Sequence, residues 1–185
     1  SSLENLEAEA LPEAARTYVG RARARVDRHS AIVRAMSEAS RVERAIAAAE
    51  AEDFDLRALV ADCAEGYRTL LAPRRLQTML PAHPLSLHGA PDLVVQALDK
   101  LVDNARSFCP PEGWVLIALA QTANGMEIVV ANAGPRLPAA MQERLFDSLV
   151  SLRGAGQRGD GAPHLGLGLH VVRLIAQRHR GFVRA

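Results

Sequence analysis

The stretch "HLGLGLHVVRLIAQRHRG", His164–Gly181, admits two readings: glycines opening a phosphate-binding helix, or a flexible lead into a buried one. Gly166 and Gly168 stand two residues apart and run directly into an apolar helical pattern, after the glycine-scattered "RGAGQRGDGAP". Backbone N–H groups at a helix start attract phosphate through hydrogen bonds and through the helix dipole. Taken alone this glycine pattern is weak, and it gains weight only from the polar exceptions upstream.

Two such exceptions precede it. "APDLVVQALDKLVDNARSF" predicts a helix opened by Pro91 and Asp92, with Leu93, Val94, Ala97, Leu98, Leu101, Val102 and Ala105 inward. Asn104 interrupts that apolar face, and its amide oxygen suits a hard cation such as magnesium between phosphates. A buried structural asparagine is the plainer reading of Asn104 by itself. "WVLIALAQT" and "MEIVVANA", joined by "ANG", read as a β-hairpin. Asn132 ends its second strand, with Ala133 and Gly134 following, so an amide is held at a strand terminus where glycine permits close approach.

Upstream, "EDFDLRALVADCAEGYRTLL" predicts a helix capped by Asp53 or Asp55, with Leu56, Leu59, Val60, Cys63 and Tyr67 inward. "APRRLQTMLPAHPLSLHGAP" suggests one or two strands with turns, and a helix follows "GPRLP". The sum is an α+β sandwich of helices over an antiparallel-rich sheet.

The N-terminal part reads as an antiparallel helical hairpin, interrupted at "LPE". Val19, Val26, Val33 and Ser40 recur every seven residues, interleaved with Ala22, His29, Met36 and Glu43, and Ile32, Ala39 and Ile46 widen the stripe. Two helices cannot bury such a seam, whereas a dimer making a four-helix bundle can, so a homodimer is expected. His29 at a seam position reads as a packed histidine, and Arg16, Arg21, Arg23, Arg25 and Arg28 as a solvated face.

Bulk properties predict a chain that folds. Of 185 residues 49% are apolar, enough for a sizeable core, and 22 basic against 21 acidic side chains remove a whole-chain case for nucleic acid. Cys63 and Cys109 have no metal-ligand or CxxC spacing, which fits a reducing compartment. No apolar run approaches a membrane span, and "SSLENLEAEA" is not a signal peptide, so the chain reads as soluble. It starts in a helical pattern without methionine, as a segment of a longer protein would.

"LDKLVDNARSF", "VVANAGPRLP", "RLFDSLVS" and "HLGLGLHVVRLIAQRHRG" resemble, in order and spacing, the N, G1, F and G2 boxes of the ATP-binding domain of sensor histidine kinases in two-component systems. The N-terminal residues resemble the end of helix one and all of helix two of the family's dimerisation and phosphoacceptor module. "MSEASRVERA", "LDKLVDNARSF", "NAGPRLP" and "PHLGLGL" look most like the kinases of a proteobacterial dedicated sortase system.

The resemblance implies a partial hairpin over residues 1–50 and a Bergerat-type ATP-binding domain over 51–185, short of its C-terminal strands. It implies that Asn104 ligates the magnesium bridging the ATP phosphates and that Phe108 lines the adenine pocket. Asn132 falls where the family has an aspartate for the adenine amino group, and Gly134 lets the base lie close. Leu165, Gly166, Leu167, Gly168 and Leu169 form the hinge of the ATP lid and cradle phosphate, while Phe146 packs the lid's near end. Lys100 replaces the first N-box asparagine but can still serve a phosphate. The implied partners are a second copy of the chain and a response regulator, with no nucleic acid, and membrane attachment only through other segments of an inner-membrane sensor protein.

Several positions depart from the family. Asn132 keeps an acceptor but loses a charge, weakening its hydrogen bond by about 1 kcal/mol or more. Ser107 replaces a basic residue, and His164 and Leu165 replace the usual Gly-Thr. No H-E-x-R-T-P-like motif occurs, so the phosphoacceptor histidine is absent and nucleotide binding without autophosphorylation is expected. A degenerate dimeric scaffold and another ATPase of the same fold remain alternatives.

Overall fold

The computed structural model describes residues 12–142, 144–147 and 167–185. Two compact units divide the chain, Ser1–Arg41 and Val42–Ala185. Helix α1 spans Glu13–Ala48, so its last turns belong to the second unit. In the first unit Val26 and Val33 of the seven-residue stripe are 49% and 62% exposed, Val19 is half-buried, and His29 is exposed rather than packed in the single chain. The other helix of the expected hairpin lies outside the described residues.

In the second unit the elements are β1 (Glu52–Asp55), α2 (Leu56–Leu71), β2 (Arg75–Met79), β3 (Ser86–Gly89), α3 (Pro91–Phe108), β4 (Trp114–Thr122), β5 (Gly125–Asn132), α4 (Ala139–Gln142) and α5 (Gly168–Arg178). β2, β4 and β5 form one sheet, β2 parallel to β4 and β4 antiparallel to β5, while β1 pairs antiparallel with β3. The β4–β5 hairpin forms where alternation and "ANG" place it, with Gly125 at φ 126° closing the turn.

Alternation along β4 assigns the faces: Val115, Ile117 and Leu119 are buried, and Leu56, Val60, Ala64, Tyr67 and Leu71 of α2 and Val94, Leu98, Val102 and Ala105 of α3 meet them. A second, smaller core joins Ile46 of α1, Ala90 and Leu93 at the start of α3, and Val171 and Ile175 of α5. This is a two-layer α/β sandwich, as expected. Cys63 and Cys109 are both free thiols; Cys109 is buried against the Trp114 carbonyl, and burial with nearby Asp99 pushes the Cys63 thiol up, away from reactivity.

Three local expectations are revised. β1 precedes α2 where only a helix start was read, because four residues of mixed polarity become a strand only through β3, some thirty residues on. Asp55 alone caps α2, accepting hydrogen bonds from the Arg57 and Leu85 N–H groups, both at 3.0 Å, while Asp53 pairs with His88. The helix after "GPRLP" is the single turn α4.

The Leu85 N–H above all holds the Asp55 carboxyl below its ordinary range. Asp55 therefore contributes stability that is fully present above its unfolded value and lost as pH falls through the lower native one. Asp55→Asn keeps an acceptor at the cap but cannot titrate, so unfolding midpoints of the two chains should differ near neutrality and converge below about pH 4. Parallel pH profiles would show that Asp55 carries no such linkage.

Candidate functional site

Helical spacing puts Lys100, Asn104 and Phe108 of α3 at i, i+4 and i+8, one stripe beside the buried row of Leu98, Val102 and Ala105. Lys100 is exposed, and Asn104 and Phe108 are half-buried. The orientation of α3 is pinned from behind by the Tyr67 hydroxyl, which donates to Asp99 at 2.6 Å. Burial, then this acceptor, drive the Tyr67 phenol far above its ordinary range, so it remains a donor at any physiological pH.

Asn132 reaches the same region by strand register. Met126, Ile128, Val130 and Asn132 share the face of β5 that points at the helices, and Asn132 pairs with fully buried Val115. An apolar row thus ends in an amide at the C-terminal end of α3. Past it, the Ala133 N–H donates to the Trp114 carbonyl and the Gly134 N–H to the Asn132 carbonyl, both at 2.9 Å, curling the chain onto α3. A Cβ on Gly134 would lie 2.5 Å from Asn132 Nδ2 and 2.8 Å from the Phe108 carbonyl oxygen. Glycine here serves the approach of this turn to the end of α3.

At the other end of the stripe α5 begins. Leu167 is its N-cap, without a side-chain cap bond, and a Cβ on Gly168 would lie 3.8 Å from Lys100 Cδ. Lys100 therefore stands beside the uncapped start of α5, where N–H groups carry partial positive charge. The structure thus groups Lys100 with Gly168, and Phe108 with Asn132 and Gly134, with Asn104 one turn from each. Leu167 and Leu169 are half-buried, and Phe146 is buried beside the Asp147–Arg173 ion pair of 2.7 Å. Leu165 and Gly166 lie outside the described residues.

Among the described residues, the side-chain amides of Asn104 and Asn132 have no hydrogen-bond partner. One polar residue was not foreseen: His170, in the first turn of α5, has a buried Nδ1 without a partner among the described residues. Its place on an apolar helical stripe gave no signal. A concavity of about 350 Å³ is lined by Gln142, Phe146, Arg173, Val183, Arg184 and Ala185, and by none of the α3 stripe. Its two guanidiniums are already paired, Arg173 with Asp147 and Arg184 with Glu127.

The second unit thus combines a sandwich with an asparagine-bearing helix, an amide-ended strand and an uncapped glycine helix start. The family model described as "Histidine kinase-, DNA gyrase B-, and HSP90-like ATPase" matches residues 89–185, and the chain belongs to that family. Its relatives place it among the sensor histidine kinases, as their ATP-binding portion. The sensor protein ChvG of Rhizobium meliloti (strain 1021) is 29% identical over 170 residues, 87% of this chain and 29% of that protein. The adaptive-response sensory kinase SasA of Synechococcus sp. (strain JA-2-3B'a(2-13)) is 34% identical over 109 residues, 58% of this chain and 28% of that protein. The chain thus spans under a third of the length of either relative. Among solved structures, the mycobacterial sensor histidine kinase MprB shares the fold with a TM-score of 0.60 at 24% identity, covering 72% of this chain and 83% of that one. Among the described residues, no helix is long and apolar enough to cross a membrane.

Proposed function

We propose that the α3 stripe, the Asn132–Gly134 turn and the start of α5 bind ATP with magnesium. In the whole protein this domain then supplies the phosphoryl group that passes to a histidine and on to an aspartate of a response regulator. The observation that carries the reading is the open amide of Asn104 between Lys100 beside Gly168 and Phe108 beside Gly134.

The chemistry of the donor set fits. Asn104 offers a neutral oxygen for the metal, Lys100 and the first N–H groups of α5 face phosphate, and Asn132 with Phe108 and Gly134 holds the base. Magnesium, when bound, neutralises charge developing on the phosphates. The protein's share is to position and to screen from water, which explains how the site can work without a side-chain nucleophile. Among the described residues no cluster of three or more His, Cys, Asp or Glu side chains could hold a metal alone, consistent with an ion held jointly by asparagine and phosphate.

The organisation proposed is residues 1–50 as a dimerisation hairpin and 51–185 as the ATP-binding domain. Exposed Val26 and Val33 along the seven-residue repeat support a homodimer built through α1. The histidine acceptor, the inner-membrane sensor segments and the sortase-associated pairing belong to this proposal, not to the observed geometry.

Calorimetric titration with magnesium and a non-hydrolysable ATP analogue tests the reading. Saturable, magnesium-dependent binding is expected. No heat even at millimolar nucleotide would leave a dimeric scaffold that binds no ATP.

A further inference from the structure

His179 closes α5 and makes two ring contacts that fix its chemical state. Its Nδ1 lies 2.8 Å from the Ile175 carbonyl oxygen, which can only accept, so Nδ1 carries a proton. Its Nε2 lies 3.0 Å from the Ala90 backbone nitrogen, which can only donate, so Nε2 is the bare acceptor. The ring is therefore neutral and in a single tautomer. It also rests on Gly89, where a Cβ would come within 2.4 Å of Cδ2 and 2.6 Å of Nε2.

The place of this contact matters more than its strength. Ala90 is the N-cap of α3 and has no side-chain cap, and the bond from it to His179 crosses 89 positions of sequence. α3 and α5 are thus joined end to start across the small core of Ala90, Leu93, Val171 and Ile175. At their other shared point, Lys100 meets Gly168. The separations along the helices, Ala90 to Lys100 and Gly168 to His179, are about 15 Å and about 16 Å at 1.5 Å per residue. The imidazole fastens one end of a helix pair whose opposite end carries the candidate phosphate-facing groups.

We propose that His179 is a positioning residue for nucleotide binding, and that protonation of Nε2 opens the link between the start of α3 and the end of α5 and makes nucleotide affinity pH-dependent. This rests on the nucleotide-binding reading above. A proton on Nε2 turns the acceptor into a donor aimed at another donor, and the positive N-terminal end of α3 opposes the new charge. The Ile175 contact survives protonation and the C-terminal end of α5 favours the cation, so α5 stays formed while the link to Ala90 opens.

The charged and titratable groups on the surrounding elements are few. Arg178 and Arg180 flank the ring, and Arg178 is held by the Ala49 carbonyl at 3.1 Å. Asp92 stands in the first turn of α3. His88 of β3 is paired with Asp53 of β1 at 2.8 Å, both exposed, while Glu50 precedes β1 and Glu52 opens it, paired in register with Gly89. His88 is the imidazole on the strand that leads to Gly89 and Ala90, and its substitution provides a control.

The test compares the 185-residue chain with His179→Gln, His179→Ala and His88→Gln, titrating magnesium with a non-hydrolysable ATP analogue at pH 7.5 and 5.5. In the His179→Gln chain the introduced side-chain carbonyl still accepts from Ala90 and cannot be protonated, so the affinity should lie within about threefold of the parent at pH 7.5. Between the two pH values the parent should lose about tenfold more affinity than the His179→Gln chain, the nucleotide's own protonation being common to both. The His88→Gln chain should follow the parent, and the His179→Ala chain should bind weakly at both values. Long-range proton–nitrogen NMR of the nucleotide-free chain should show His179 as the Nδ1–H tautomer. A parallel pH profile for parent and His179→Gln, or an Nε2–H tautomer, overturns this proposal alone. Failure of the parent to bind nucleotide at any pH overturns the underlying reading and this one with it, and the tautomer spectrum tells the two failures apart.

Discussion

The Asn104→Ala chain should bind nucleotide about 10- to 100-fold more weakly than the parent in magnesium and show no further loss when the metal is chelated. The magnitude corresponds to a contact with a charged group worth about 1.5–3 kcal/mol. A methyl group cannot supply the oxygen that the half-buried amide leaves open on the α3 stripe. The same substitution should leave the unfolding midpoint unchanged or slightly higher, since alanine is the better helix former and no described partner loses a bond. Calorimetry with and without a chelator, beside thermal unfolding, reads both effects. An unchanged dependence on magnesium, or a loss of stability in place of affinity, would make Asn104 a structural residue.

Gly134→Ala should damage the other end of the same surface. The new Cβ would meet the Phe108 carbonyl oxygen at 2.8 Å, and backbone at the end of a helix cannot retreat as a flexible side chain can. The φ of Gly134 is not in the left-handed region, so the conflict is one of space and not of backbone conformation. Overpacking of this kind costs about 1–3 kcal/mol, measurable by denaturant unfolding. Asn132, whose Nδ2 would lie 2.5 Å from the same Cβ, must also turn away, so nucleotide affinity should fall together with stability. A variant as stable and as tightly binding as the parent would show that the turn does not press on α3.

The two asparagines show what kind of site a sequence makes legible. Asn104 and Asn132 each break a regular apolar pattern, helical in one case and alternating in the other, and a polar residue on a buried face needs a reason. The third element was weak in isolation and became informative through its order after the other two. Lys100 was found by spacing against a family, and the structure adds that its side chain lies beside Gly168. His170 and His179 carry no such mark, because an imidazole on an apolar stripe gives no sign of whether its nitrogens will find partners.

Local chemistry sufficed for α2, α3 and the β4–β5 hairpin, where helical period, a capping aspartate and a turn glycine act within a few residues. The seven-residue stripe of α1 is equally local, although what covers it is not. β1 escaped notice because its partner β3 lies far along the chain, and the parallel pairing of β2 with β4 escaped for the same reason. The sequence by itself determined the sandwich class, the asparagines on its inner face and the glycine-marked start of α5. Only the tertiary structure decided that Asp55 ties α2 to Leu85, that Gly134 presses on Phe108, and that His179 joins α5 to Ala90. Pattern records what each residue prefers against solvent, whereas these contacts join groups tens of residues apart whose meeting depends on how whole elements pack.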